Sequence, residues 1–308
     1  MSDVTIRGYH PSDVEAVVRV INACNEADGW SFRENVQSFQ LRDSDPAMHL
    51  DRHSLIVDAD GHAVGYARMF REPGTRLFVI LWLEPAWRGQ GIEQRLIERL
   101  QAEAAAFTEP AFDVAARSGQ PTYAVALQEL GFHPVRSWWT MRIDLRAELP
   151  APAFPPGIEL RPFVPGQDEE MLTWLVNDVF SEHWGEGEHR LESIRAEVAM
   201  PDFRADLLLF AQKEGQAVGY VWSWADPHPE VTGDRYAYIG DLGVRKAYRG
   251  HGLGRALLLR ALHDVKTRGM VAADLDVDGP NADAKHLYES VGFRQQQELR
   301  WYRKELHR

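Results

Sequence analysis

Two widely separated stretches of the chain carry apolar residues at helical spacing. Val17, Val20, Ile21 and Cys24 fall at i, i+3, i+4 and i+7, and so do Leu172, Leu175, Val176 and Val179. Each set predicts the buried stripe of an amphipathic helix. A short strand precedes each helix, at Thr5 to Arg7 and at Ile158 to Arg161, and a pair of strand-like runs follows it: LIVDADGHAVGYARMF from Leu55 and LLLFAQKEGQAVGYVWSW from Leu207. Both pairs bend around a glycine that supplies turn geometry, which predicts hairpins. Beyond the second hairpin come a strand YAYIGDLGV from Tyr236, a glycine-rich turn and a helix from about Leu253 to Arg268. A strand AADLDV from Ala272, a short helix from about Ala284 to Val291 and a last strand through QELRWYRKEL complete the half. The order β-α-β-β-β-α-β-α-β is that of an α/β (α+β) fold.

The two halves are copies. IRGYHPSDVEAV from Ile6 matches LRPFVPGQDEEM from Leu160, and AVGYARM from Ala63 matches AVGYVWS from Ala217, both at an offset of 154. EPAWRGQGIEQRLI from Glu84 then matches RKAYRGHGLGRALL from Arg245 at an offset of 161, as Phe132 matches Phe293. A seven-residue insertion in the loop WADPHPEVTGD accounts for the change of register. Proline-rich LRAELPAPAFPPGIEL joins the copies, since its prolines exclude helix and sheet interiors. The expected organisation is a first domain over residues 1–149, a linker over 150–157 and a second domain over 158–308.

A length of 308 residues with 44% hydrophobic and 26% charged residues suits two ordinary globular domains. The net charge of −12 divides evenly, −6 in residues 1–150 and −6 in the rest, which disfavours nucleic-acid backbones and favours cationic partners such as amines. The single cysteine, Cys24, lies on a buried stripe and reads as a small core hydrophobe. No Cys/His cluster has metal-site spacing, and neither an export signal nor a membrane-spanning run is present, so a cytoplasmic protein without metal or membrane partner is expected. Nothing in the pattern bears on oligomeric state.

The turn RGHGLGRALL, Arg249 to Leu258, carries the candidate chemistry. Glycines at alternate positions let successive N–H groups converge, and the helix that follows adds its unpaired first-turn amides and positive dipole end. Such a cradle holds an anion. A dinucleotide fingerprint would need glycine where Arg255 stands, and a phosphate-binding Walker loop would need Lys-Ser/Thr after Gly254, so neither applies.

A strand ending LGV, then YRGHGLGRALL, a further strand, and NADAKHLYESVGF resembles the GCN5-related N-acetyltransferase (GNAT) superfamily over Tyr238 to Phe293; the tandem arrangement with VFSEHW after the first helix is similar to mycothiol-synthase-like members. The resemblance implies two tandem folds, each a mixed, mostly antiparallel sheet whose parallel fourth and fifth strands splay, flanked by helices. It further implies acetyl-CoA as co-substrate, with the pantetheine arm along Leu242, Gly243 and Val244 and the diphosphate on the amides of Arg249, Gly250, His251, Gly252, Leu253, Gly254 and Arg255. Asn281 matches a position that contacts the coenzyme, with helix capping as its other role. Tyr288 matches the acid that protonates the departing thiol, although Ala284, Leu287, Tyr288 and Val291 also form an apolar stripe that would place it in a core. The family's base positions are occupied by Gly240 and Tyr238, which leaves Asp241, Glu182 and His183 as candidates. Strand alternation turns Asp241 away unless a bulge intervenes. Trp184, Trp222 and Trp224 are candidates for an aromatic-lined pocket.

The first copy departs at three positions: Glu93 replaces the third loop glycine, Gln120 replaces Asn281 and Leu127 replaces Tyr288. Its strand VILWLEP offers no acid or base before Glu84. A carboxylate at an anion cradle repels a diphosphate and leucine donates no proton, so a degenerate first copy is expected. The expected activity is transfer of an acetyl group from acetyl-CoA to a primary amine of a small molecule. The alternatives are a non-catalytic acyl-CoA sensor or scaffold and a protein amine acetyltransferase.

Overall fold

The computed structural model describes residues 4–30, 33–43, 53–72, 76–181, 189–225, 233 and 235–306. In chain order its elements are β1 (Val4–Gly8), α1 (Val14–Ala27), α2 (Val36–Asp43), β2 (Ser54–Ala59), β3 (His62–Glu72), β4 (Arg76–Leu83), α3 (Ile92–Ala104), β5 (Ala111–Arg117), α4 (Pro121–Glu129) and β6 (His133–Asp144). The second half supplies β7 (Ile158–Pro162), α5 (Glu169–Phe180), α6 (Leu191–Val198), β8 (Leu208–Lys213), β9 (Gln216–Ala225), β10 (Tyr236–Val244), α7 (Leu253–Thr267), β11 (Ala272–Asp278), α8 (Ala282–Val291) and β12 (Arg294–Glu305). The short helices α2 and α6 were not legible in the sequence. Two turns are too few for periodicity to show, and α6 buries Ile194 alone. Most of the inserted loop lies outside the described residues.

Two compact units are present. The first comprises Met1–Trp139, Asp278–Pro280 and Gln297–Arg308, and the second comprises Thr140–Val277 and Asn281–Gln296. In the first the strand order is β1-β2-β3-β4-β5-β12. Only β4 and β5 run parallel there, and their pairing covers just Leu77↔Phe112 to Val79↔Val114. The second has the order β7-β8-β9-β10-β11-β6, with β10 and β11 parallel over Tyr236↔Ala272 to Tyr238↔Asp274. Each unit therefore takes an outer strand from the other half of the chain. Antiparallel β5 and β12 are in register from Leu299↔Arg117 to Glu305↔Ala111.

In each unit the strands are covered on two faces. In the first unit Val17, Val20, Ile21 and Cys24 of α1 pack with Ile56 and Tyr66, while Leu96, Ile97 and Leu100 of α3 and Leu127 of α4 pack with Val57, Val79 and Val114. In the second, Leu172, Leu175 and Val176 of α5 pack with Phe210, Tyr220 and Trp222, and α7 lies on β9 and β10 with Leu257, Leu258 and Leu262 fully buried. Each such aliphatic side chain contributes about 1.5–3 kcal/mol through removal from water. Asp113 of β5 is completely buried, where its carboxylate accepts from Arg76 at 3.1 Å and from Arg303 of β12 at 2.7 and 2.8 Å. Replacing Asp113 by Ala takes a completely buried carboxylate away from two guanidinium groups. The expected loss is about 3–5 kcal/mol, read as a lowered denaturant midpoint.

Candidate active site

The site in the second unit begins where β10 leaves β11. Their hydrogen bonding ends at Tyr238, while β10 continues alongside β9 to Val244. Ile239 pairs with Ser223 and Asp241 with Trp222, so Gly240 is an extra residue, a bulge. Glycine is required there because a Cβ would lie 1.9 Å from Cζ3 of Trp224. Beyond the bulge, alternate backbone groups of Leu242, Gly243 and Val244 face away from β9 into the widening gap. Gly243 is equally constrained: a Cβ would sit 2.6 Å from Cγ2 of Val179 on α5.

The glycine turn closes the same end. Gly250 and Gly252 have φ of +78° and +82°, conformations that side chains avoid. Arg249 anchors the turn by donating from Nε to the carbonyl of Val244 at 2.8 Å and from Nη2 to that of Val179 at 3.1 Å. The His251 ring nitrogen Nδ1 lies 2.7 Å from the Arg249 carbonyl. Among the described residues no backbone carbonyl accepts from the amides of 250–252, and α7 starts at Leu253. Its first-turn amides, including those of Gly254 and Arg255, extend the cradle. Asn281 caps α8, its Oδ1 accepting from the Ala284 amide at 3.1 Å, which leaves its side-chain N–H groups for a ligand.

The bulge turns Asp241 toward α5, and the hydroxyl of Tyr220 donates to it at 3.1 Å. Tyr288 is half-buried on α8 with its ring centroid 6.0 Å from that of Phe293. Of the apolar stripe on this helix only Val291 is buried, so Tyr288 faces an opening and not a core. Burial pushes its phenol up to about 12, aided by the negative charge of Asp241. Tyr238 is committed elsewhere: it donates to Asp276 at 3.0 Å, and burial first, then Asp276, hold its phenol well above the usual range.

Sequence reasoning missed Glu197 at the end of α6. Its carboxyl is pushed up to about 7, by crowding of protein around it and then by the charge of Asp241, with His189 opposing. Glu197 nonetheless remains open to solvent. Crowding and the neighbouring charge both act in the upward direction. No residue pattern marked it, because the helix that carries it was not read. Asp241 acts electrostatically on both Tyr288 and Glu197. Glu182, His183 and Trp184 lie outside the described residues. Trp222 is core, whereas Trp224 is half-buried, stacked on it at 4.7 Å, and lies against the bulge.

The model of the acetyltransferase (GNAT) family matches residues 19–132 and 170–293. The chain belongs to this family. A mycothiol acetyltransferase of Thermobispora bispora is 32% identical over 283 residues, covering 92% of this chain and 93% of that protein. One of Thermomonospora curvata is 34% identical over 242 residues, covering 78% of each. Among solved structures, a GCN5-related N-acetyltransferase from Sphaerobacter thermophilus aligns with TM-score 0.77 and 26% identity over 98% of this chain and 95% of that one. A tandem GNAT protein from the clavulanic acid biosynthesis pathway shares the fold, with TM-score 0.75 and 18% identity over 98% of both chains. This GNAT protein is thus an N-acetyltransferase that draws its acetyl group from acetyl-CoA. Among its described residues no helix is long and apolar enough to cross a membrane.

Crowding of Trp224 onto Gly240 makes a local prediction. Gly240→Ala should cost about 1–3 kcal/mol through overpacking, and Trp224→Ala in the same chain should recover most of that loss. A double-mutant cycle on unfolding free energies measures the coupling.

Proposed function

We propose that the C-terminal copy is the working half and that it acetylates the amine of a small thiol-bearing acceptor of the mycothiol type, the compound for which its relatives are named. The observation that most supports this reading is the bulge at Gly240, beyond which β10 parts from β11, followed in the chain by a turn whose amides at 250–252 no backbone carbonyl takes among the described residues. The amides of Arg249 to Arg255 suit the diphosphate of CoA, and those of Leu242, Gly243 and Val244 suit its pantetheine arm. Acetyl-CoA supplies an acetyl group activated as a thioester.

Glu197 and Asp241 give the acceptor end of the cleft negative charge, which draws an ammonium ion. With a pKa near 7, Glu197 is half ionised at neutral pH and takes the proton that the amine must lose, directly or through one water. The amine nitrogen then forms its bond to the acetyl carbon, gives up its second proton to water, and the carbon–sulfur bond breaks. An amide of the bulged strand faces the developing oxyanion. Tyr288, held protonated by burial, gives its proton to the departing sulfur and recovers one from solvent. Asp241, fixed by Tyr220, sustains the raised pKa of both partners. A cytoplasmic enzyme is consistent with this chemistry; Cys24, buried with its thiol pushed up to about 11, is no nucleophile.

Thiol release from acetyl-CoA, followed across an amine panel that includes the unacetylated amine of mycothiol, tests the reading. Turnover with that amine is expected, and coenzyme binding without turnover on any amine would favour a sensor instead. Tyr288→Phe should lower kcat by about 10²-fold with little change in KM for acetyl-CoA. Because Glu197 works only when ionised, kcat/KM should rise with pH through about 7. Glu197→Gln should abolish that limb, and an unchanged profile would remove Glu197 from the mechanism.

A further inference from the structure

The first unit preserves the backbone of the anion cradle. Gly89 and Gly91 have φ of +69° and +78°, against +78° and +82° at Gly250 and Gly252. Arg88 sits at φ −71°, ψ 149°, and Arg249 at −71°, 161°. Arg88 Nε donates to the Leu83 carbonyl at 2.7 Å, just as Arg249 Nε donates to Val244 at 2.8 Å. A turn that had merely decayed would have no reason to keep two left-handed glycines and the same arginine brace.

Of the side chains that differ between the two turns, one puts a carboxylate into the cradle. Where the second unit has Gly254, the first has Glu93, and Glu93 is 4% exposed with Oε1 accepting from the Gly89 amide at 2.8 Å. A buried carboxylate is costly unless it is hydrogen-bonded. Here it takes a cradle amide at the start of α3, where the helix dipole favours negative charge. Behind it the hydroxyl of Tyr123, 2% exposed, has no hydrogen-bond partner among the described residues, and Tyr123 lines a small void with Arg88, Glu93 and Gln120. In front lies an open groove of about 370 Å³ flanked by Gly89, Gly91, Thr122 and Val125. The cradle, an anion within it and a groove leading to it are all present.

We infer that Glu93 is the resident anion of the N-terminal cradle, a built-in plug that shuts a coenzyme diphosphate site whose backbone remains intact. The inference rests on the reading that the matching C-terminal cradle holds CoA. Repulsion alone would leave the cradle empty, whereas an internal carboxylate on Gly89 satisfies it and competes for the same amide. Among the positions at which the copies differ, this one puts an anion on a cradle amide, and it is exchangeable. A Cβ at Gly254 would meet Leu287 and Val244 at 3.6 and 3.7 Å, ordinary contact, so the plug can be transplanted.

Calorimetry with CoA on the full chain tests this. The native chain should bind one equivalent, Glu93→Gly and Glu93→Ala two, and Gly254→Glu none, with affinity at the C-terminal site falling about 100-fold or more. Glu93→Ala guards against the loss of about 1 kcal/mol that glycine imposes on a helix, and thermal melts report folding of each variant. Two equivalents on the native chain, one on both Glu93 variants, or undiminished binding by Gly254→Glu would each overturn the plug. A native chain that binds no CoA would sink the functional reading instead. Binding by the Glu93 variants alone would still uphold the plug, and none by either would end it.

Discussion

Two neighbouring parallel strands that stop pairing partway impose the constraint on which the rest of this protein depends. Past Tyr238 the inward edge of β10 carries backbone donors and acceptors with no strand opposite. Buried main-chain groups are almost always satisfied, so such an edge must be given a partner or left open to one. In the second unit the bulge at Gly240 and the cradle at 249–255 leave it open, and a ligand that resembles a strand with a charged end is what such an edge accepts. On the reading proposed above, selectivity for the coenzyme follows from main-chain geometry, and side chains are left to the chemistry.

The first unit meets the same constraint from within. Its β3–β4 ladder runs without a bulge from Gly65↔Leu83 to Glu72↔Arg76, and the diverging ends are closed by side chains. Asp28 receives Arg88, Arg117 and Gln120, and Glu93 takes the cradle amide. Leu127 fills core where Tyr288 meets a cleft. One backbone plan thus supports an internally satisfied unit and an open one.

Much of this was legible because glycine and periodicity leave strong marks. Alternate glycines at 250 and 252 announced the cradle, and the stripes Val17–Cys24 and Leu172–Val179 announced the helices that cover each sheet. The bulge was written as a condition on Asp241, and its cause, the indole of Trp224 against Gly240, is a tertiary contact that no local pattern carries. Glu197 escaped notice because α6 is short and its one buried residue makes no stripe. Glu93 was read by the sign of its charge alone, although its distance from Gly89 decides its role. Nor does the alternation of QELRWYRKEL reveal which sheet it joins, since an edge strand matches any partner with a free ladder.

That last strand carries a consequence for biosynthesis. The N-terminal unit incorporates residues from the far end of the polypeptide, where Arg303 of β12 neutralises Asp113. During translation the first-made half must wait, its β5 edge bare and Asp113 paired with Arg76 but not yet with Arg303, until the ribosome has delivered β12. The half made second finds its borrowed strand, β6, already synthesised. Order of emergence and order of completion are therefore reversed, and the half that reads as the working enzyme is the one able to finish first.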